Sequence, residues 1–263
     1  MRMDSKIGCQ DISFSNELPL SIKRLINSLQ RQKVLDPNIA RQLVIDAQIC
    51  QEDLLSWADF SHSVADSYGR KLVYDGGNFE IMVMSWMPGD FSAIHDHGST
   101  QWGAVQCFGS GEHWVYKLYN QELSIHSQTA FPPGTAVAVN HDLIHQMGNP
   151  SELPFLSLHV YGCENPHGSI TGDARIFELW EGCIQYTDGG VFFALPEEQI
   201  NTKVYGLKGD RQTTLHHLQC LRDRLERILS VPDYSTEHLR SQLALLKEKI
   251  ALLTFTESNQ DLC

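Results

Sequence analysis

Short apolar runs broken by glycines fill the middle of the chain, and apolar stripes at helical spacing flank them on both sides. Over residues 70–195 the pattern is that of strands. Residues 79–86 (FEIMVMSW) form one apolar run after a turn at Asp75-Gly76-Gly77-Asn78, and residues 114–119 form another, ended by Asn120. Residues 155–161 read as a strand that places Ser157, His159 and Tyr161 on one face. Residues 177–195, folded at Asp188-Gly189-Gly190, read as a final hairpin. Several short strands at close spacing predict a sandwich or barrel. The first sixty residues read as helical. Asp36-Pro37 is a cap followed by proline at the first helical position, Ile39, Leu43, Ala47 and Cys50 form a stripe behind it, and a short helix is expected over 52–60. Near the end, Leu215, Leu218, Leu221, Leu225, Ile228 and Leu229 keep helical spacing up to Pro232. Leu239, Leu243, Leu246, Ile250 and Leu253 then recur at steps of four and three behind a cap at Ser235 or Thr236. This predicts an αα-hairpin whose seam packs on the barrel or its partner helix, with a homodimer contact as the alternative. The organisation is thus an N-terminal helical segment packed on the barrel (1–62), a barrel (63–197) and a C-terminal helical hairpin (198–263).

Composition narrows the class. At 263 residues the chain suits one large core with extensions. Twenty basic against 32 acidic residues give a net charge of −12, which argues against a nucleic-acid or anionic-membrane partner. No apolar run approaches the roughly 18 residues that cross a bilayer, and Met-Arg-Met-Asp-Ser-Lys lacks the apolar core of a signal peptide. The expected location is cytoplasmic. Seven cysteines without a CxxC pair read as reduced thiols, with Cys107 and Cys183 as small buried hydrophobes.

The candidate chemistry lies in Gly89-Asp-Phe-Ser-Ala-Ile-His95-Asp-His97 and in His145. In a β pattern alternate residues share a face, so His95 and His97 can offer imidazoles to one ion while Asp96 points away. Gly89, five residues, His95-x-His97, four residues to Trp102 and six to Gly109 reproduce the first cupin motif. Pro133-Gly134 followed by His145-Gln-Met-Gly-Asn149 reproduces the second. The chain therefore resembles a cupin: mainly β, a double-stranded β-helix or jelly-roll barrel, here with N-terminal helices and a C-terminal αα-hairpin. Trp102 stands where cupins carry a carboxylate ligand. Three neutral imidazoles leave a divalent ion its full charge, which favours an anionic ligand such as a thiolate. His141 lacks the trailing asparagine, so His145 is the preferred third ligand. His216 and His217 read as solvated on a polar helix face.

Two further blocks, Tyr68-Gly-Arg70 and Ser157-Leu-His159-Val-Tyr161, make the chain similar to cysteine dioxygenase, a thiol-oxidising cupin, from near residue 40 to near 195. That resemblance implies ferrous iron on His95, His97 and His145. It also implies a substrate-binding group of Arg70, Tyr68 and Trp102, and a catalytic line of Ser157, His159 and Tyr161. Arginine fits a carboxylate bidentately, and Tyr161 can donate to oxygen or substrate while His159 and Ser157 orient it. Vertebrate relatives carry a tyrosine-linked cysteine where this chain has Trp102, so Tyr161 is expected to be a free phenol. The family's Ser-Pro-Pro is replaced by Gly162-Cys163-Glu164. The implied reaction is oxidation of L-cysteine to cysteine sulfinic acid with O2. The alternatives are another small thiol such as 3-mercaptopropionate, and a non-catalytic metal-binding or sensing cupin.

Overall fold

A computed structural model describes residues 18–164, 169–234 and 236–258. It begins with α1 (Leu20–Arg31), α2 (Pro37–Asp46) and a 3-10 segment, Gln51–Trp57. Asp36 caps α2 by accepting the Ile39 amide at 2.8 Å. The predicted stripe on α2 is rotated by about one residue: Ala40, Val44 and Ala47 are buried, whereas Ile39 is half-buried and Cys50 exposed. The cause is that α2 packs mainly on the barrel sheet, with α1 also against it, and the sheet contact selects its smaller residues.

Ten strands follow in the barrel region: β1 (Gly69–Asp75), β2 (Phe79–Trp86), β3 (Trp102–Cys107), β4 (Gly111–Tyr119), β5 (Glu122–Phe131), β6 (Ala136–Asn140), β7 (Ile144–Gly148), β8 (Phe155–Gly162), β9 (Ala174–Glu178) and β10 (Cys183–Thr187). Two short ones, β11 (Thr202–Tyr205) and β12 (Lys208–Gly209), lead into α3 (Arg211–Leu229) and α4 (Glu237–Ser258). One wall of the barrel has the order β1-β2-β8-β3-β6 and the other β12-β5-β4-β7, with β11-β10-β9 as a third sheet. Isolated bridges from Phe91 to Gly148 and from His95 to both His145 and Ile176 stitch the 91–95 segment between β7 and β9. This is the expected cupin barrel with helices at both ends. His95 and His97 lie on an extended, bridged segment rather than inside a regular strand.

The central strands β2, β8 and β3 of the sheet β1-β2-β8-β3-β6 are buried on both faces, which explains the unbroken apolar run of β2. Ile81 and Val83 face outward with Trp102, Leu156 and Leu158, in the core shared with α1 and α2. Met82, Met84 and Trp86 face inward with Tyr68 and Tyr161. Each fully buried side chain of this size contributes roughly 1.5–3 kcal/mol.

The final hairpin forms, but its turn is at residues 179–182 between β9 and β10, where Gly182 has φ +67°. The Asp188-Gly189-Gly190 stretch is a bend that carries the chain to the central cavity. Asp210 caps α3 through the Thr213 amide at 2.7 Å. Thr236 caps α4 through the Leu239 amide at 3.2 Å, and Ser235 lies outside the described residues. The α4 seam packs as the spacing predicts: Leu246 and Ile250 join Leu218, Leu221 and Leu225 of α3 against Ala93, Ile176, Phe193 and Leu195 of the barrel. No helix among the described residues is long and apolar enough to cross a membrane.

Candidate metal centre and substrate cavity

His95 and His145 exchange backbone hydrogen bonds at 2.9 Å in both directions, which fixes their side chains on one face. Past His97 the chain reverses at Gly98, whose φ of +54° brings its Cα against the Gly172 carbonyl, so a side chain there would collide with backbone. The result is a buried cluster of His95, His97 and His145 whose ligand nitrogens all lie within 4.8 Å of one another. The Nε2 atoms of His97 and His145 approach to 3.1 Å. Asp96 points away, as alternation requires, and is held by the guanidinium of Arg175. His141 lies outside the cluster, bonding the Thr100 carbonyl at 3.2 Å.

Protonation favours lone pairs. Burial pushes His95 down to about 4, and it drives His97 and His145 well below the ordinary imidazole value, with help from the neighbouring rings. His95 donates Nδ1–H to the Ala93 carbonyl at 2.8 Å, which leaves Nε2 free. His145 Nδ1 meets His113 Nε2 at 2.8 Å. His113 is itself neutral, pushed down to about 4 by burial, so it can accept from His145 and fix the tautomer that frees the ligand nitrogen. The Nδ1 of His97 has no partner among the described residues. Three neutral, convergent imidazoles fit a divalent metal.

The wall beside the histidines comes from β8 and β2. Ser157, His159 and Tyr161 share the inner face and form a hydrogen-bonded line, with Ser157 Oγ to His159 Nε2 at 2.7 Å and His159 Nδ1 to Tyr161 Oη at 2.8 Å. Trp86 completes it, donating its indole N–H to Ser157 Oγ at 2.8 Å. Since the indole can only donate, the Ser157 proton is available for His159 Nε2, and the His159 Nδ1 proton then goes to the tyrosine oxygen. Tyr161 keeps its own proton to direct into the cavity. Burial supports each role: His159 is pushed down to about 3 and stays neutral, and the Tyr161 phenol is pushed far up and stays protonated.

Tyr68 and Arg70 enter from the start of β1. Arg70 lies opposite Met84 and so faces inward, half-buried, and Tyr68 stacks on Trp86 with centroids 4.8 Å apart. Arg70 has no hydrogen bond or ion pair among the described residues, which leaves its fork available at the cavity wall. The cavity is lined by the three histidines, His159, Tyr161, Tyr68, Arg70 and the apolar surfaces of Met82, Met84, Trp86, Met147 and Val191. Its volume of about 40 Å³ corresponds to roughly three waters, which suits a molecule of amino-acid size.

One expected member is absent from this wall. Trp102 faces the opposite side of the sheet, buried in the outer core with Phe79, Ala104 and Val160. The residue of β3 that faces Tyr161 is Gly103, paired with it in register. Counting from His97 gives the position correctly, but the turn at 98–100 sets which face it presents. Trp102 is therefore removed from the substrate-binding group. His217 is likewise not solvated, being 1% exposed and bonded to Glu178 at 2.8 Å, while His216 is half-buried, stacked on Trp114 at 3.9 Å and bonded to Gln146 at 2.8 Å. Helix α3 lies between the barrel and α4, so the face that carries His217 is covered. Cys163 is buried in the inner core beside the cavity, and it is not among the lining residues. The sequence reading missed Trp86 and His113. A lone histidine in the otherwise β-type run of β4 was the available signal for the second.

The model of the family described as cysteine dioxygenase type I matches residues 7–167 of the chain. Solved structures resemble it at low identity. A cupin 2 conserved barrel domain protein from Salinispora arenicola is 16% identical, with 40% of this chain and 85% of that one covered and a TM-score of 0.32. A cupin-2 domain from Rhodospirillum rubrum is 19% identical, with 40% and 65% covered and a TM-score of 0.31. A conserved protein with a double-stranded β-helix domain from Klebsiella pneumoniae is 17% identical, with 43% and 88% covered and a TM-score of 0.34.

Proposed function

Because the chain belongs to the cysteine dioxygenase type I family, we propose that it is an iron-dependent thiol dioxygenase that oxidises L-cysteine to cysteine sulfinic acid. Thiolate and O2 combine with both oxygen atoms on sulfur, and the thiol supplies all four electrons, so no reductant is needed. The observation that carries this reading is that a three-imidazole cluster, an unengaged arginine and a polarised Ser-His-Tyr line all border one small cavity. A metal cage alone requires neither of the last two.

His95, His97 and His145 would hold the ferrous ion, which supplies the site at which thiolate and dioxygen react. Arg70 takes the substrate carboxylate through its planar donor pair and sets the distance at which the sulfur arrives. Tyr161 donates its proton into a hydrogen bond with the oxygens gained by sulfur, its direction fixed through His159, Ser157 and Trp86. The apolar lining of Met82, Met84, Met147 and Val191 limits water.

One observation favours a second substrate. Asp96, the one carboxylate among the described lining residues, is turned from the histidine cluster and held by Arg175, so no free counter-charge awaits a substrate ammonium there. 3-Mercaptopropionate, which has no amine, fits the same cavity. Oxygen uptake with cysteine, 3-mercaptopropionate and cysteamine, with product mass under labelled dioxygen, decides. We expect two labelled oxygens on the carboxylate-bearing thiols and poor turnover of cysteamine. Arg70→Ala should raise KM about 10–100-fold, the value of a charge-assisted pair. No labelled product with any thiol, from protein that retains bound iron, would overturn the proposal.

A further inference from the structure

A second cleft, of about 780 Å³, lies between α3 and the barrel and shares no lining residue with the metal cavity. Phe91, Trp114 and Phe193 give it apolar walls, and Arg224 borders it from α3. Arg224 is 5% exposed, yet all three of its guanidinium nitrogens lack a hydrogen-bond partner among the described residues. The other charged groups on the cleft wall are engaged, Glu112 by a hydrogen bond from Gln128 at 3.2 Å and the rest in ion pairs. Arg227 pairs with Asp90 at 2.9 Å, Arg222 with Asp223 at 2.6 Å, and Lys247 with Glu226 at 2.7 Å. The other oxygen of Asp90 is taken by His62 at 3.1 Å and the Met87 amide at 2.6 Å.

A buried guanidinium with no acceptor is costly, because five donors and a full charge have left water without replacement. Burial and the neighbouring Arg227 charge push Arg224 down to about 10, so it remains charged at neutral pH. The fork is charged, unpaired and closed to solvent behind the wall of a roomy cleft.

We infer that this cleft binds a small organic anion, with Arg224 turning outward to meet its carboxylate or sulfonate head and an apolar body against Phe91, Trp114 and Phe193. A planar oxyanion matches the guanidinium bidentately, and a cleft of this volume lies within the range of small-molecule sites. This inference does not depend on the proposed reaction.

The full-length protein is titrated calorimetrically with benzenesulfonate, benzoate and uncharged benzamide, at ionic strength fixed with chloride. Saturable binding of the two anions is expected, with benzamide weaker by about tenfold or more, as the loss of a charge-assisted pair implies. Arg224→Gln should lose a similar factor, whereas Arg70→Ala should bind as the parent does. On the unmodified protein, nuclear Overhauser contacts from the ligand ring to the Trp114 indole are expected, a readout that needs no variant to fold. Absence of saturable binding, undiminished binding by Arg224→Gln, or contacts confined to Tyr68 and Tyr161 would each overturn the assignment.

Discussion

Replacing His113 tests whether the metal centre is organised from behind. His145 can present Nε2 to a metal only as the tautomer with its proton on Nδ1, and His113 Nε2 is the acceptor for that proton at 2.8 Å. His113 is 7% exposed and neutral, and its ring lies 4.7 Å from that of Phe131, so leucine can fill much of the same space without altering the barrel. His113→Leu leaves a buried N–H unpaired, at a cost of about 1–3 kcal/mol. Loss of such a supporting partner lowers metal affinity about 10–100-fold, or about 1.4–2.7 kcal/mol, in agreement with that figure. His113→Gln returns an acceptor and should recover most of the loss. The assay is competition for ferrous iron or zinc between the metal-free protein and a chromophoric chelator, with the melting temperature recorded for each variant. A leucine variant that binds within about threefold of the parent, or a glutamine variant as weak as leucine, would refute the role given to His113.

Three other outcomes follow from the geometry. Trp86→Phe removes the donor that polarises Ser157, and kcat for thiol-dependent oxygen uptake should fall about tenfold while KM changes little; an unchanged kcat would show that the line needs no anchor. The hydrogen bond to Asp90 holds His62 above its ordinary value of 6.5, so its contribution to stability is complete below that pH and is lost as pH rises through the higher folded value. The melting-temperature gap between the parent and His62→Asn should therefore shrink between about pH 6 and pH 9, and a gap that widened would contradict the assignment. Leu246→Ala should cost about 2–5 kcal/mol in urea unfolding, since Leu246 is fully buried where α3, α4 and the barrel meet; a cost below about 1 kcal/mol would mean that the seam is loosely packed.

The residues that could be read in advance are those whose signals are local. The strand at residues 79–86, the Asp36 cap and the alternation of Ser157, His159 and Tyr161 each depend on neighbours within a few positions, and the structure has all three. The histidine pair was legible for the same reason, although the chain there is bridged rather than regular. What escaped depends on register between distant segments. His113 meets His145 across 32 residues, and Trp86 meets Ser157 across 71. Trp102 fell on the wrong face because the turn around Gly98 sets the phase of β3. The Gly189-Gly190 pair attracted the hairpin turn, yet Gly182 carries it, with φ +67°. His217 turns inward because the barrel covers its face of α3, and the water-facing positions of that helix are others, such as Gln212, Asp223 and Glu226.

The Asp90 junction means that the tail is not a detachable appendage. Asp90 is fully inaccessible and stands five positions before His95, and its arginine partner, Arg227, belongs to α3. A chain cut after residue 209 would leave Asp90 held on one oxygen by His62 and the Met87 amide while the other lost its partner, at a cost of about 1–3 kcal/mol. Against the 5–15 kcal/mol that holds a typical domain together, that loss falls on the segment leading to the first of the clustered histidines. Any shortened version of this barrel should supply a new donor to Asp90 in the same step that removes the helices.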